Sequence, residues 1–443
     1  MISLNPSIAQ PQTTGNYLVL LPEDDVDAGV QALCNSTGVS RVARAMEMTD
    51  RVFTAEQLEV AEPLVFDQLG VAVVPLDPEQ LQSLSVLSTQ TSPILAIEPE
   101  RIVYALSDYP AIPPGQSLSS ANLSADYLRG YRDAIIHLVD HAIAPQPALG
   151  TLTVAFEEID TTWGLQATRT VNSPYSGQGI RVAVLDTGLD LTHPDFAGRQ
   201  IFSKSFVPNE TAQDGNGHGT HVIGTACGPL RPPVPPRYGV GYETVIYAGK
   251  VLSDRGQGSD RQIFSGIEWA LANNCQIISM SLGAPTTFGQ SYSRLFERIA
   301  QRALRNGSII IAASGNDSDR RFGQVSPVSY PANSPSVLAV AALNRQLEVA
   351  FFSNGGFNPG SGQVDIAAPG VDVYSSFPLP TRYRRLNGTS MATPHVSGIA
   401  ALYAQATGAT GQALGNLLIQ NARRLPLPAT DVGAGLVQAP IEI

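Results

Sequence analysis

The sequence predicts an α/β protein, with a mostly parallel central sheet covered by helices on both faces and a small α+β unit in front of it. Three observations carry this. Apolar, β-branched runs ending in Gly or a polar residue recur through the later two-thirds of the chain: "IRVAVLDTG", "TVIYAGKVL", "CQIISMSLG", "GSIIIAASGN" and "SVLAVAALN". Helical stretches, "RQIFSGIEWALANN" and "YSRLFERIAQRALRNG", lie between them. Strand, helix and strand in repetition, with strands apolar throughout, is the pattern of a parallel sheet buried on both faces.

The front third is read element by element. Residues 1–14 read as a flexible tail. From Gly15 the pattern changes: "NYLVLL" is strand-like, and "DAGVQALCNSTG" is helical with Gly38 at its end. "GVAVVPL" reads as a strand. "DPEQLQSLSVL" starts with an acid, has Pro in its first turn and spaces its leucines as a helix does. "ILAIEPERIVYAL" is a strand again, which closes an α+β unit over 15–106. A linker over 107–154 follows, opening on the Pro- and Ser-rich "SDYPAIPPGQSLSS". Within it, Leu128, Tyr131, Ile135, Leu138, Val139 and Ala142 recur at helical spacing after Ser124, a cap. His137 and His141 are four apart on that helix, a spacing that would suit a metal pair, but no further clear ligand accompanies them, so they are read as ordinary histidines. The α/β domain occupies 155–443.

Composition excludes several classes. The chain has 443 residues, 43% apolar and only 15% charged, with 40 Gly, which describes compact folding with many tight turns. A net charge of −11 excludes a general binder of nucleic acid or anionic membrane. No apolar run reaches the length of a membrane span. The opening "MISLNPSIAQPQTTGNYLVLLPEDD" has no basic start, so no secretory leader is read; synthesis in the cytoplasm is expected and export stays open. Cys34, Cys227 and Cys275 are too few for a disulfide framework and are expected as buried thiols.

In parallel sheets chemistry gathers at the carboxyl ends of strands. "VAVLDTG" puts Asp186 at such an end, "DGNGHGTHVIGTA" puts His218 at a Gly-rich helix entry, and "LNGTSMATPHVSG" puts Ser390 at another. Alone, Ser390 could be only a helix cap, with Pro394 in an early turn. Together the three can do more. A neutral serine needs a base to take its proton, and the base needs a carboxylate to fix its tautomer. "AASGND" adds Asn316 just after a buried strand, where its amide could reach a tetrahedral oxyanion, with the Ser390 N–H as a second donor.

These blocks resemble the three signature blocks of the subtilisin-like serine proteases, in the same order Asp, His, Ser. The similarity runs from about Trp163 to Ala439, where "VGAGLVQA" resembles the family's closing segment. It implies a three-layer fold and a serine endopeptidase acting through an acyl-enzyme on Ser390, with protein or peptide substrates. It further implies that Ser281, Leu282 and Gly283 of "ISMSLG" pair with extended substrate, opposite Gly256 and Gly258 of "DRGQGS". His221 and His395 match structural positions. Asp317 lies near the first pocket, where it could favour a basic residue or form a solvated rim.

Residues 15–106 resemble the family's N-terminal prodomain, which assists folding and then lies in the cleft as an inhibitor in cis. By that resemblance self-cleavage falls between Leu106 and Ser107, and Leu106 and Val103 imply a preference for large apolar residues before the cut. No cofactor is needed for the chemistry. Asp195 in "LTHPDF" matches a calcium-ligand position, but the facing loop "GPLRPPVPPRYG" lacks the usual Asn and Asp, so calcium is doubtful there. Two other readings stay open. An acyl transferase of the same fold, forming macrocycles, would need water excluded by an insertion. A pseudoprotease that only binds peptides would be expected to lose a catalytic group, and none is missing.

Overall fold

The computed structural model describes residues 12–106 and 156–442, apart from positions 40, 49–50, 60–61, 88–92, 359 and 361. The linker with its expected helix, His137, His141 and Ser107 lies outside the described residues.

The first strand, β1 (Thr13–Leu20), begins inside the stretch expected to be a tail. The tail boundary is corrected: Thr13 pairs with Arg101, and Thr14 Oγ1 donates to buried Glu100. β1 is followed by α1 (Val26–Thr37), β2 (Ala43–Arg44), β3 (Leu64–Phe66), β4 (Val71–Pro75), α2 (Pro78–Leu87) and β5 (Ala96–Ala105). The helix ends are set locally. Asp25 accepts the Ala28 N–H at the start of α1, and Gly38, at φ 72°, closes it by donating to Cys34 O. Asp77 accepts from the Glu79 and Gln80 N–H groups before α2. The strands lie in the order β5–β1–β4–β3–β2, antiparallel except for β2 with β3.

"YLVLL" is apolar without a break because both faces of this sheet are covered. Val19, Leu21, Val65, Ala72 and Val74 pack with Leu33 of α1 and Leu84 of α2. Leu18, Leu20, Phe66, Val71 and Val73 point the other way, into a core shared with Phe264, Ile267 and Phe296 of the following region.

That region contains β6 (Arg181–Asp186), β7 (Ile201–Ser205), α3 (His218–Cys227), β8 (Val245–Lys250), β9 (Gln257–Ser259) and α4 (Asp260–Ala272). It continues with β10 (Ile277–Met280), β11 (Leu282–Gly283), α5 (Arg294–Arg305), β12 (Ile309–Ala313), β13 (Leu338–Leu343), β14 (Ile366–Pro369), β15 (Val373–Ser376), β16 (Tyr383–Leu386), α6 (Thr389–Thr407) and α7 (Gly411–Gln420). Seven strands form one sheet in the order β14–β13–β12–β10–β6–β8–β7, parallel at every pairing.

Side-chain alternation splits this sheet into two faces. Val182 and Val184 of β6 join Val222, Ile223, Val396 and Ile399 of α3 and α6. Ala183 and Leu185 join Phe264, Ile267 and Phe296 of α4 and α5. The result is three layers, with α6 buried from Thr389 through Ala404. Cys227 and Cys275 are buried, whereas Cys34 is only partly so, a small departure from expectation. Among the described residues no helix is long and apolar enough to cross a membrane.

Candidate active site

β6 delivers Asp186 to the carboxyl edge of the sheet, where its carbonyl accepts from the Val251 and Leu252 N–H groups. Its carboxylate Oδ1 accepts from His218 Nδ1 at 2.7 Å and from the Thr187 N–H at 2.8 Å. A carboxylate can only accept, so Nδ1 carries the proton and the neutral ring leaves Nε2 as its acceptor. His218 opens α3 directly after Gly217, which sits at φ +104°; a Cβ there would also come 2.3 Å from the Phe377 ring.

Asp214, which the sequence reading passed over, joins the two positions. Its carboxylate takes Thr187 Oγ1 (2.9 Å), the Gly217 N–H (2.8 Å) and both the N–H and hydroxyl of Thr220 (2.8 and 2.6 Å). The signal was the first letter of "DGNGHGT": an Asp three residues before a helix entry is suited to accept from its free N–H groups.

Two further histidines of these motifs, His221 and His395, are held by backbone carbonyls. Burial, and next the neighbouring His218, push His221 down to about 3, and its Nε2 donates to Val373 O and Arg384 O. Burial pushes His395 down to about 4, and its Nδ1 donates to Met391 O.

Ser390 is the second residue of α6, and Gly388 occupies the cap position. The capping role considered for its hydroxyl is corrected: Ser390 Oγ donates to Ser281 O at 3.0 Å. Four residues on, Pro394 has no N–H to give the Ser390 carbonyl. Ser281 Oγ supplies that donor at 2.9 Å, so the two serines are cross-linked by reciprocal hydrogen bonds. His218 Nε2 is buried without a partner among the described residues, as is Asp186 Oδ2. Asp186 and His218 are therefore joined, while Ser390 Oγ is held on the Ser281 carbonyl and not on the ring.

Asn316 faces the same point. Its Oδ1 accepts from the Thr389 N–H and Oγ1, both at 2.9 Å, which orients the amide so that Nδ2 donates to Leu106 O at 2.8 Å. Gly388 makes room for that carbonyl, since a Cβ on it would lie 2.7 Å from Leu106 O.

The last part of β5 runs between β9 and β11, antiparallel to both. All five residues expected to line an extended peptide meet it. Leu106 N donates to Ser281 O and Ala105 N to Gly256 O, while Leu282 is in register with Ala105, Gly283 with Tyr104 and Gly258 with Val103. Val103 is fully buried, and a Cβ on Gly283 would come 3.1 Å from the Leu106 side chain. Asp317 is exposed, and its carboxylate accepts from Ser329 Oγ and Asn354 Nδ2.

Asp195, the expected calcium ligand, is buried with both carboxylate oxygens on phenols: Tyr238 at 2.5 Å on Oδ2 and Tyr383 at 2.9 Å on Oδ1. Among the described residues no group of three His, Cys, Asp or Glu side chains is placed to hold a metal.

An acid, an imidazole and a hydroxyl borne at the edge of one parallel sheet define the class as an α/β serine hydrolase. Comparison with known proteins narrows it. Residues 177–436, more than half the chain, match the Subtilase family. "Subtilisin" of Bacillus pumilus is 43% identical over 236 residues, which cover 52% of this chain and 78% of that protein. "Subtilisin E" of Bacillus subtilis (strain 168) is 43% identical over 236 residues, 56% of its length. "M-protease" of Shouchella clausii (strain KSM-K16) is 42% identical over 253 residues, 59% of its length. The chain belongs to the subtilase family and is a serine peptidase of the subtilisin-like type.

Proposed function

We propose that this protein is a serine endopeptidase made as a self-processing zymogen, in which residues 15–106 fold against the catalytic domain and occupy its cleft, and the bond after Leu106 is the one it cuts. One observation carries the reading: the end of β5 pairs with both cleft walls and stops with Leu106 O on Asn316 Nδ2.

The chemistry follows from the residues at hand. Ser390 Oγ leaves the Ser281 carbonyl and turns to His218 Nε2, the unpartnered acceptor. It attacks the Leu106 carbonyl carbon while His218 takes its proton, and the resulting imidazolium is stabilised by Asp186. The negative oxygen is held by Asn316 Nδ2 and by the N–H of Ser390, free at the second position of α6. Collapse breaks the bond to Ser107, whose amine leaves with the proton from His218. Water, deprotonated by the same ring, then releases the Leu106 carboxylate and restores Ser390.

The preference for large apolar residues before the cut rests on Leu106 beside Gly283 and on buried Val103. The chemistry needs no cofactor. Two phenol donors on Asp195 and a Pro-rich facing loop do not fit a calcium site, which wants six to eight oxygens. We read Asp195 as a structural acceptor.

Incubation of full-length protein, N-terminal sequencing and labelling with a fluorophosphonate test the proposal. A new N-terminus at Ser107 and labelling, both lost in Ser390→Ala, are expected. A mature start near residue 150 would remove the argument for the apolar preference. Absence of labelling would favour the peptide-binding pseudoprotease.

A further inference from the structure

β5 carries a cation into the receiving domain where main-chain pairing does not need one. Arg101 is the sixth residue before the proposed cut, and its side chain is only 11% exposed. Its guanidinium lies over the Tyr330 ring, 4.4 Å from the centroid, an approach that attracts a cation to the ring's negative face. Asp260, the first residue of α4, is fully buried beside it. Tyr330 O–H donates to Asp260 Oδ1 at 2.6 Å, which turns Oδ2 to the strand. That oxygen accepts the Arg101 N–H at 2.8 Å and lies 4.0 Å from Nη1.

The main-chain contact would serve any residue, so it selects nothing. The side chain is a different matter. A buried carboxylate and an aromatic face, both on the receiving domain, reward a cation and leave a neutral side chain's site with an uncompensated acid. Glu98 also pairs with Arg101, at 3.0 Å, but it comes from the same strand and tops α5 by accepting the Leu295 N–H. Glu100, the neighbour, turns to Arg261.

We propose that Asp260 and Tyr330 form a substrate subsite that selects a basic side chain, arginine above all, at the sixth position before the cleaved bond. The subsite rests on the reading of β5 as occupying the substrate cleft. Substrates are then recognised by two features five residues apart: a large apolar residue at the cut and a cation upstream.

The test uses full-length protein allowed to process itself, with a quenched peptide of residues 99–110, PERIVYALSDYP, and its Arg101→Ala and Arg101→Lys versions. Starting at residue 99 leaves Glu98 out, so only the receiving domain can reward the charge. The Ala peptide is expected to lose about tenfold in kcat/KM, with Lys between the two. In Asp260→Asn the Arg and Ala peptides should become nearly equal; Tyr330→Phe, which keeps the ring and loses the tie to Asp260, should narrow the gap in part. Equal cleavage of the Arg and Ala peptides by wild type at the 106–107 bond overturns the subsite, and a preference retained in Asp260→Asn overturns its assignment to that acid. Cleavage elsewhere, or of none of the peptides, overturns the reading of the cleft, and the subsite falls with it.

Discussion

The sheet of residues 12–106 and the parallel sheet of residues 156–442 are both covered on two faces, but not by the same means. The parallel sheet is covered by elements of its own region, α3 and α6 on one side and α4 and α5 on the other. The N-terminal sheet covers one face with α1 and α2, in a small cluster around Leu33 and Leu84. Its other face, with Leu18, Leu20, Phe66 and Val73, packs on Val52, Phe53 and Leu58 of its own region and is closed by α4 and α5. Without that partner it would present a contiguous apolar surface to water, a costly state for a small unit. One region thus holds its fold by its own burial, and the other shares one face of its core with its neighbour.

Phe66→Ala should separate them most. Phe66 meets Phe53 edge-on at 5.2 Å and Phe264 at 5.8 Å, so truncation removes packing on both sides of the joint. A loss of about 3–5 kcal/mol is expected. Hydrogen exchange should then show amides of 12–106 losing protection while β6, β10 and β12 keep theirs. Simultaneous loss in both regions would break the comparison.

Glu100→Ala comes next. The buried carboxylate is gripped by Arg261 at Nε and Nη2, both at 2.8 Å, and by Asn16. Removing it strands Arg261, which is mostly buried, at a cost of about 3 kcal/mol to docking. Faster exchange in β5 and β1 than in wild type is the readout; unchanged rates would show that the ion pair does not hold the joint.

A change of pH should act in the same place. Burial pushes Asp260 up to about 7, against Arg101 and the hydroxyl of Tyr330, with Glu98 and Glu100 nearby. Burial also raises Glu268 of α4, which accepts from the Gln68 N–H and faces Asp67 and Arg302. Acids raised on folding stabilise the folded state while protonated, so their contribution is full below the ordinary carboxylate range, and that of Asp260 is lost as pH rises through about 7. Protection of β5 should be greater at about pH 5 than at about pH 8.5. The reverse order would mean that burial does not raise these groups.

The smallest effect belongs to the self-sufficient region. Tyr383→Phe removes one donor from Asp195 and leaves Tyr238, for about 1 kcal/mol. Calcium chelation should leave Tm unchanged in wild type and variant; a fall on chelation would show that an ion occupies the site.

Much of this was legible in the sequence where a residue's role is announced by what surrounds it. The long apolar runs named five strands of the parallel sheet, and glycines beside His218 and Ser390 marked helix entries. β7 was not read, because "IFSKS" lies at the sheet edge and exposes Phe202. Nor was the hairpin of β15 and β16, whose "YRRL" carries charge on a two-stranded ribbon. Asp214 hid in a Gly-rich loop that drew the eye to His218. Asp260 gave no local sign, since the group that explains it is Arg101, 159 positions away. Local preference alone also allowed the hydroxyl of Ser390 to be a cap, because it cannot show that the Ser281 carbonyl lies within its reach.

β5 belongs to two partners at once, its first half in the N-terminal ladder and its last residues between the cleft walls. While the backbone is whole, that contact is unimolecular and indifferent to how much protein is present. Severing it after Leu106 makes the contact a bimolecular equilibrium obeying mass action. Freshly matured molecules should then stay silent in a crowded solution and awaken on dilution.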